Sequence, residues 1–352
     1  MDVNLFLPLG TRACFICAAL LFFAAPASSR QTFDNSWTFS VHFENDLFAD
    51  TDQNYTNGIK LSWVSPDLTR FRDSERLPDW SHEYIDMLPF INDPERERSI
   101  VFSVGQSIFT PQDTARTDLI RNDRPYAGWL YFGTAFHSKK SSQLDTLEVQ
   151  FGIVGSLSLA EEAQTLVHEL RNLTKPKGWD HQLEIEPGLN FIYERKWRGF
   201  VLGSDRGMGF DVISHMGGAL GNVLIYGNMG FELRAGWNLP RDFGTSPIRP
   251  GGDTNDPLDR RDPRRARDTS FGMHFFGYVD GRAVARDIFL DGNTYTDSHS
   301  VNKRHFVADF AAGVAIIYDR FKLSLAKVIR TREFHGQPSN HRFGSITLSY
   351  TF

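Results

Sequence analysis

Three features of this 352-residue chain predict an all-β fold: a twelve-stranded antiparallel transmembrane β-barrel with a short helix in an extracellular rim loop. The chain opens on an export signal. The remainder is rich in aromatic residues yet holds no long apolar run. The last residues alternate strictly in polarity and finish on Phe352.

The signal spans residues 1–27, "MDVNLFLPLGTRACFICAALLFFAAPA". Arg12 precedes an apolar run from Ala13 to Ala25, and Ala25-Pro26-Ala27 supplies the small-residue cleavage pattern. The run is shorter than the ~20 apolar residues of a spanning helix, so cleavage after Ala27 is expected rather than anchoring. Residues 28–352 then form one outer-membrane barrel domain. Both cysteines, Cys14 and Cys17, fall inside the signal, which removes disulfides, Cys metal sites and thiol nucleophiles from the mature chain. A net charge of -5 argues against nucleic-acid binding. Aromatics reach 13% with 30 Phe, and no continuous apolar stretch is long enough for a membrane helix.

At the other end, "GSITLSYTF" places Ile346, Leu348, Tyr350 and Phe352 on one face and small hydroxyl residues on the other. Such a strand, closing on Phe, resembles the C-terminal signature read by the barrel assembly machinery.

Between the ends, period-2 stretches recur at Trp37–Asn45, Thr56–Ser65, Ser99–Ile108, Gly128–His137, Leu144–Gly155 and Gln182–Lys196. Six more follow at Gly207–Gly217, Val223–Leu239, Ser270–Val279, Phe306–Tyr318, Phe321–Ile329 and Gly344–Phe352. The even total suits a bacterial barrel. Tyr278–Leu290 reads either as a continuation of the ninth strand or as an extra hairpin. With both termini periplasmic, odd-to-even connections lie outside the cell. Loops 46–55, 109–127 and 156–181 therefore share the extracellular rim. Ala160–Leu173 has helical periodicity and sits in the third of these. Two periplasmic connections, Pro66–Arg98 and Pro240–Thr269, are longer than such turns usually are, and the second carries "RRDPRRAR".

The rim loops hold the candidate chemistry. "FENDLFADTDQNYTNG" (43–58) brings the end of strand one to the start of strand two. Asn45, Asp46 and Thr56 offer hard oxygens that suit Ca²⁺, with a hydrogen-bonded loop as the plain alternative. "DTDQN" (50–54) lacks the Gly and distal Glu of an EF-hand. Alternation points His42, Glu44 and Asp46 into the lumen and Asn45 outward. A shared site in the lumen mouth then requires a bend at Asn45, and a regular strand with Asn45 facing lipid would count against it. The second loop carries Arg116, Arg121 and Arg124, which could pair with phosphate or with acids of the same loop. The helix carries His168, a residue suited to general-base work, with Gln164 one turn earlier on the same face. "GWDHQLEIEPG" follows with Asp180, His181, Gln182 and Glu186. No G-x-S-x-G and no H-E-x-x-H occurs, so neither a nucleophile-elbow serine nor a zincin site is supported.

The series "END…YTNG", "DRPYAGW", the helix "Q…VH" and "GWDHQL..EPG", in this order, resembles the outer-membrane lipid A 3′-O-deacylase family from about Trp37 to Phe352. The resemblance implies a twelve-stranded barrel in the bacterial outer membrane, acting on lipid A (lipopolysaccharide) of the outer leaflet. It implies Ca²⁺-assisted hydrolysis of the 3′-linked acyloxyacyl ester. Matched by motif, His168 is the general base, and Asn45, Asp46 and Thr56 belong to the catalytic group. Arg116, Arg124 and Gln182 are substrate-binding candidates. The family's acidic residue six positions after the His is here Thr174. Glu169, Asp180 or Glu186 could stand in, and Glu186 joins Asn45 and Asp46 as a candidate metal ligand. An outer-membrane phospholipase and a passive pore are the competing readings.

Overall fold

The computed structural model describes residues 36–46, 54–67, 79–87, 96–203, 206–245, 247–258, 261–265 and 271–352. The export signal, residues 47–53 of the first rim loop and the side chain of Thr56 lie outside the described residues.

Twelve strands close into one antiparallel barrel, each paired to its chain neighbours and the last to the first. They are β1 (Thr38–Asn45), β2 (Asn54–Val64), β3 (Glu97–Thr110), β4 (Ala127–Lys140), β5 (Gln143–Val154) and β6 (Glu186–Gly203). The circuit continues with β7 (Met208–Gly221), β8 (Leu224–Trp237), β9 (Phe271–Asp287), β10 (Phe306–Tyr318), β11 (Phe321–Arg330) and β12 (His341–Thr351). Helix α1 (Ser81–Asp86) lies between β2 and β3, α2 (Ala160–Leu170) between β5 and β6, and α3 (Ile288–Asp291) after β9. All twelve predicted strands are present. Tyr278–Leu290 continues the ninth, then turns into α3 as the Asp287 side chain accepts from Phe289 N at 3.0 Å.

Period-2 alternation sets the two faces. In β1, Thr38, Ser40, His42 and Glu44 are buried toward the lumen, while Phe39, Val41 and Phe43 look out. Exposed Trp237, Phe271, Tyr318, Phe321 and Phe352 ring the end that carries the short turns, as an interfacial girdle does.

The long connection between β8 and β9 is not a periplasmic excursion. It folds back into the barrel and meets the wall on many sides. Ile248 N donates to Glu44 at 2.7 Å, and Gly251 N donates to Glu148 at 2.6 Å. Asp253 takes Lys60 Nζ at 2.6 Å, and Arg249 Nη2 donates to Glu194 at 2.8 Å. Lys322 donates to Asp242 at 2.7 Å and to Asn255 at 2.9 Å. The strands so engaged are β1, β2, β5, β6 and β11. This helps explain why a barrel tolerates so many luminal charges. Some are matched by a charge or a backbone N–H from this inner connection, the plug. Others pair along the wall, as Asp211 does with Arg198 and Arg234, which offsets desolvation. Above the plug, toward the rim with the long loops, Tyr55, Phe109, Trp129, Phe289 and Phe343 form an aromatic layer. Phe109 and Phe289 stack at 4.1 Å. A lumen occupied in this way is a poor conduit for solutes.

Candidate functional site

β1 pairs regularly through its final residue, Asn45, which faces Asn57 on β2 and Gly344 on β12. The expected bend at Asn45 is absent. The irregularity lies on the facing strand instead. The β2–β3 register slips between Tyr55 and Asn57, leaving Thr56 as the extra residue of a bulge. The slip sends Tyr55 inward to the aromatic layer and Asn57 outward. Gly58 makes room for it, since a Cβ there would lie 1.8 Å from Tyr55 Oη. Asn45 looks outward, yet it is only 4% exposed, so it does not face lipid. Asn45 and Asn57 therefore lie on the outer side of the barrel wall.

Register carries this level sideways along the outer face, from Asn45 to Asn57, Ile108 and Gly128. Helix α2 lies against the far end of that row. A Cβ on Gly128 would fall 1.9 Å from Ser158 Oγ and 2.3 Å from Ala160 Cβ, so glycine is what allows the helix to close on β4. Gln106, another outward residue of β3, donates to Ser158 O at 2.7 Å. Ile108, Tyr126, Ala160 and Trp179 pack as one small core between helix and wall.

Three residues of α2 are buried, Ala160, Gln164 and His168, at i, i+4 and i+8 on one face. Trp179 Nε1 donates to Gln164 Oε1 at 3.0 Å, and the Trp179 and Tyr126 rings meet at 4.9 Å. Tyr126 of "DRPYAGW" and Trp179 of "GWDHQL" thus form the platform under the helix. Leu183 N donates to Tyr126 O at 2.9 Å and holds the two segments together. His168 Nδ1 lies 2.6 Å from the backbone oxygen of Thr174. A carbonyl can only accept, so Nδ1 carries the proton and Nε2 holds the lone pair.

Asp46, directly after β1, is fully buried. Asn57 Oδ1 is buried with no hydrogen-bond partner, beside Asn45 across the strand pair. Register sets Asn45 and Asn57 side by side, and Asp46 is the next residue along the chain; amide and carboxylate oxygens are the hard donor types that suit Ca²⁺. Among the described residues no cluster of three or more His, Cys, Asp or Glu forms a metal site of its own. Asn57 was not singled out from the sequence, although it lies in the "YTNG" stretch. Its outward aim depends on a bulge that no residue type announces.

The other expected site residues are placed differently. Glu186 does not join Asn45 and Asp46. It opens β6, five strands round the ring from β1, and accepts from Asn222 Nδ2 at 2.9 Å and Thr294 N at 2.7 Å. Its carboxylate ties neighbouring loops together. Arg124 is not at the outer surface. It is buried within the barrel mouth, over the Phe109 ring at 5.3 Å and 3.4 Å from Glu333. Arg116 is exposed on its loop and donates from Nε to Asp118 at 3.0 Å. Gln182 forms a parallel bridge with Tyr126, and its Oε1 is buried without a hydrogen bond.

Similarity to known proteins agrees with this architecture. The solved structure of LpxR from Salmonella typhimurium superposes with a TM-score of 0.68 at 16% identity, covering 90% of this chain and 100% of that one. The β-domain of the Bordetella autotransporter BrkA aligns with a TM-score of 0.40 at 9% identity, over 90% and 99% of the two chains. No curated protein matches the sequence. The family model for outer membrane protein LpxR matches residues 14–352, nearly the whole chain, and the protein is thus an outer-membrane β-barrel belonging to the LpxR family.

Proposed function

We propose that this protein is a lipid A deacylase that hydrolyses the 3′-linked acyloxyacyl ester, working where α2 meets the outer barrel wall. The observation that carries the reading is His168: buried on the wall-facing stripe of α2, with Nδ1 held by the Thr174 carbonyl at 2.6 Å. A site on the outer wall suits a substrate that never leaves the membrane, because its acyl chains stay in lipid while the ester reaches the helix.

In this mechanism His168 Nε2 takes a proton from water as the water oxygen attacks the ester carbonyl. The C–O bond to the sugar then breaks, the sugar oxygen receives that proton, and a free fatty acid leaves. Asn45, Asp46 and Asn57 would hold Ca²⁺, and Thr56 lies at the bulge that orients Asn57. Bound Ca²⁺ supplies Lewis-acid polarisation of the ester carbonyl. Trp179 and Gln164 hold the helix at its working distance. Arg116, exposed on the rim, is the candidate contact for a head-group phosphate. The occupied lumen argues against a passive pore.

Mass spectrometry of lipid A from cells expressing the wild type or His168→Ala tests the reading. Loss of the 3′ acyloxyacyl group with the wild type alone is expected. Identical lipid A from both, with each barrel folded in the outer membrane, rejects it. Undiminished activity in EGTA rejects the metal role separately.

A further inference from the structure

The wall on the far side of the barrel from α2 carries a feature that the proposed reaction does not use. Two adjacent outward levels run across β7 to β10. One reads Gly227, Ala283, Phe306, and the next reads Met216, Met229, Gly281, Ala308. Met216, Met229 and Phe306 stand out from the wall at 53%, 65% and 79% exposure, while the residues between them have at most one side-chain carbon. The outcome is a groove of about 870 Å³ with a backbone floor.

The glycines on that floor are not there for packing. A Cβ at Gly227 would meet no atom nearer than 3.9 Å, and one at Gly281 none nearer than 3.7 Å. Elsewhere in the same strands, a Cβ on Gly230 or Gly236 would come within 2.0 or 2.1 Å of a neighbouring backbone oxygen. The wall could carry side chains at Gly227 and Gly281 without moving, yet it leaves the space open.

One end of the groove is cationic. Arg304, before β10, and Arg332, after β11, line it together with Thr331 and Asn340. No carboxylate lines it. Among the described residues neither arginine makes an ion pair, and Arg304 Nε is buried with no hydrogen-bond partner. Ligand pockets span roughly 300–1000 Å³, and a groove of about 870 Å³ lies in the upper part of that range, large enough for lipid acyl chains. Guanidinium groups at the end of an apolar channel match a phosphate above acyl chains.

We propose that this groove holds a second molecule of lipid A as a bound, non-reacting lipid. Its acyl chains lie over Gly227 and Gly281, and a phosphate meets Arg304 and Arg332. The groove opens toward the same rim as α2, and placing that rim in the outer leaflet rests on the functional reading above.

Native mass spectrometry of the detergent-released mature barrel, incubated with purified lipid A, tests the assignment without requiring turnover. Phosphatidylglycerol and phosphatidylcholine serve as comparators. Gly227→Leu/Gly281→Leu fills the floor, and Arg304→Gln/Arg332→Gln removes the charge at loop positions outside the strands, with the folded barrel confirmed by its heat-induced gel shift. Each double variant is expected to lose one bound lipid A relative to wild type, with lipid A deacylation in whole cells unchanged. Equal retention by wild type and both variants overturns the proposal. So does equal retention of either comparator lipid, or loss of deacylation together with loss of binding, which would make the groove part of the reacting site. Absence of deacylation even in the wild type rejects the functional reading and leaves the binding result to stand alone.

Discussion

His168 Nδ1 and the backbone oxygen of Thr174 are 2.6 Å apart, six residues along the same loop. The contact closes the C-terminal end of α2, where Leu173 N also donates to His168 O at 2.8 Å. The imidazole is oriented by main chain. A carbonyl can only accept, so the neutral imidazole held this way has its proton on Nδ1. In the proposed mechanism Nε2 is then the nitrogen that takes the proton.

Thr174→Ala should therefore retain activity within about threefold, because the group that holds His168 is not deleted, whereas His168→Ala should lose about 10²–10⁴-fold. Quantified lipid A species from matched cultures compare the two. A Thr174→Ala enzyme as inactive as His168→Ala would show that the threonine side chain carries the role.

Trp179→Phe keeps an aromatic ring against Tyr126 but removes the donor to Gln164. An unsatisfied buried acceptor costs roughly 1–3 kcal/mol. That loss falls on the docking of α2 and not on the barrel. Activity should drop while the heat-induced gel shift of the folded barrel stays at the wild-type temperature. Protease cleavage within 160–182 should rise.

Gly128→Val places a branched side chain where Ser158 and Ala160 sit, 1.9 and 2.3 Å from the first added carbon. The strand register does not need glycine here, so the barrel should still assemble. The helix should be pushed off the wall and hydrolysis abolished. Activity persisting in a correctly inserted Gly128→Val barrel would remove α2 from the site.

The plug supplies a stability test. Lys60 and Asp253 are both almost fully buried and paired at 2.6 Å. Removing one partner leaves a buried charge, at a cost of about 3–5 kcal/mol. Asp253→Ala should lower the unfolding temperature in detergent, and the double change with Lys60→Met should recover part of the loss. A double change that costs the sum of the two single changes would mean the pair is uncoupled.

Glu333, in the loop after β11, gives a pH dependence of definite sign. Burial pushes its carboxyl up, but the guanidinium groups of Arg124 and Arg330 outweigh that and hold it at about 2. A carboxyl depressed below its ordinary value of about 4.3 stabilises the fold above that value, and this contribution is lost as pH falls from there toward 2. Glu333→Gln should be less stable than wild type at pH 7, with the gap closing below pH 4. Unfolding midpoints across that range measure it. A gap that widens on acidification would reverse the assignment.

Strand order and parity are legible in the sequence, because each strand must alternate lumen and lipid residues over its own length, while the structure decided that Tyr278–Asp287 continues the ninth strand and adds no hairpin. Ile346 to Phe352 and the Asp319-Arg320 turn are legible without a structure. So is the helix at Ala160, whose buried face is a 3.6-residue repeat. Tertiary structure decided which wall the site occupies. Asn45 is at an outward position by alternation, but whether an outward residue meets lipid or protein depends on where a remote loop lies, and α2 docks because of Gly128 and Trp179. The Thr56 bulge reverses the aim of Asn57, a one-residue slip invisible to pattern counting. The excursion 240–265 looked like an overlong periplasmic loop because its partners, Glu44, Lys60, Glu148 and Glu194, are spread over four strands. Only closure of the barrel brings those charges into one space, where desolvation obliges them to pair.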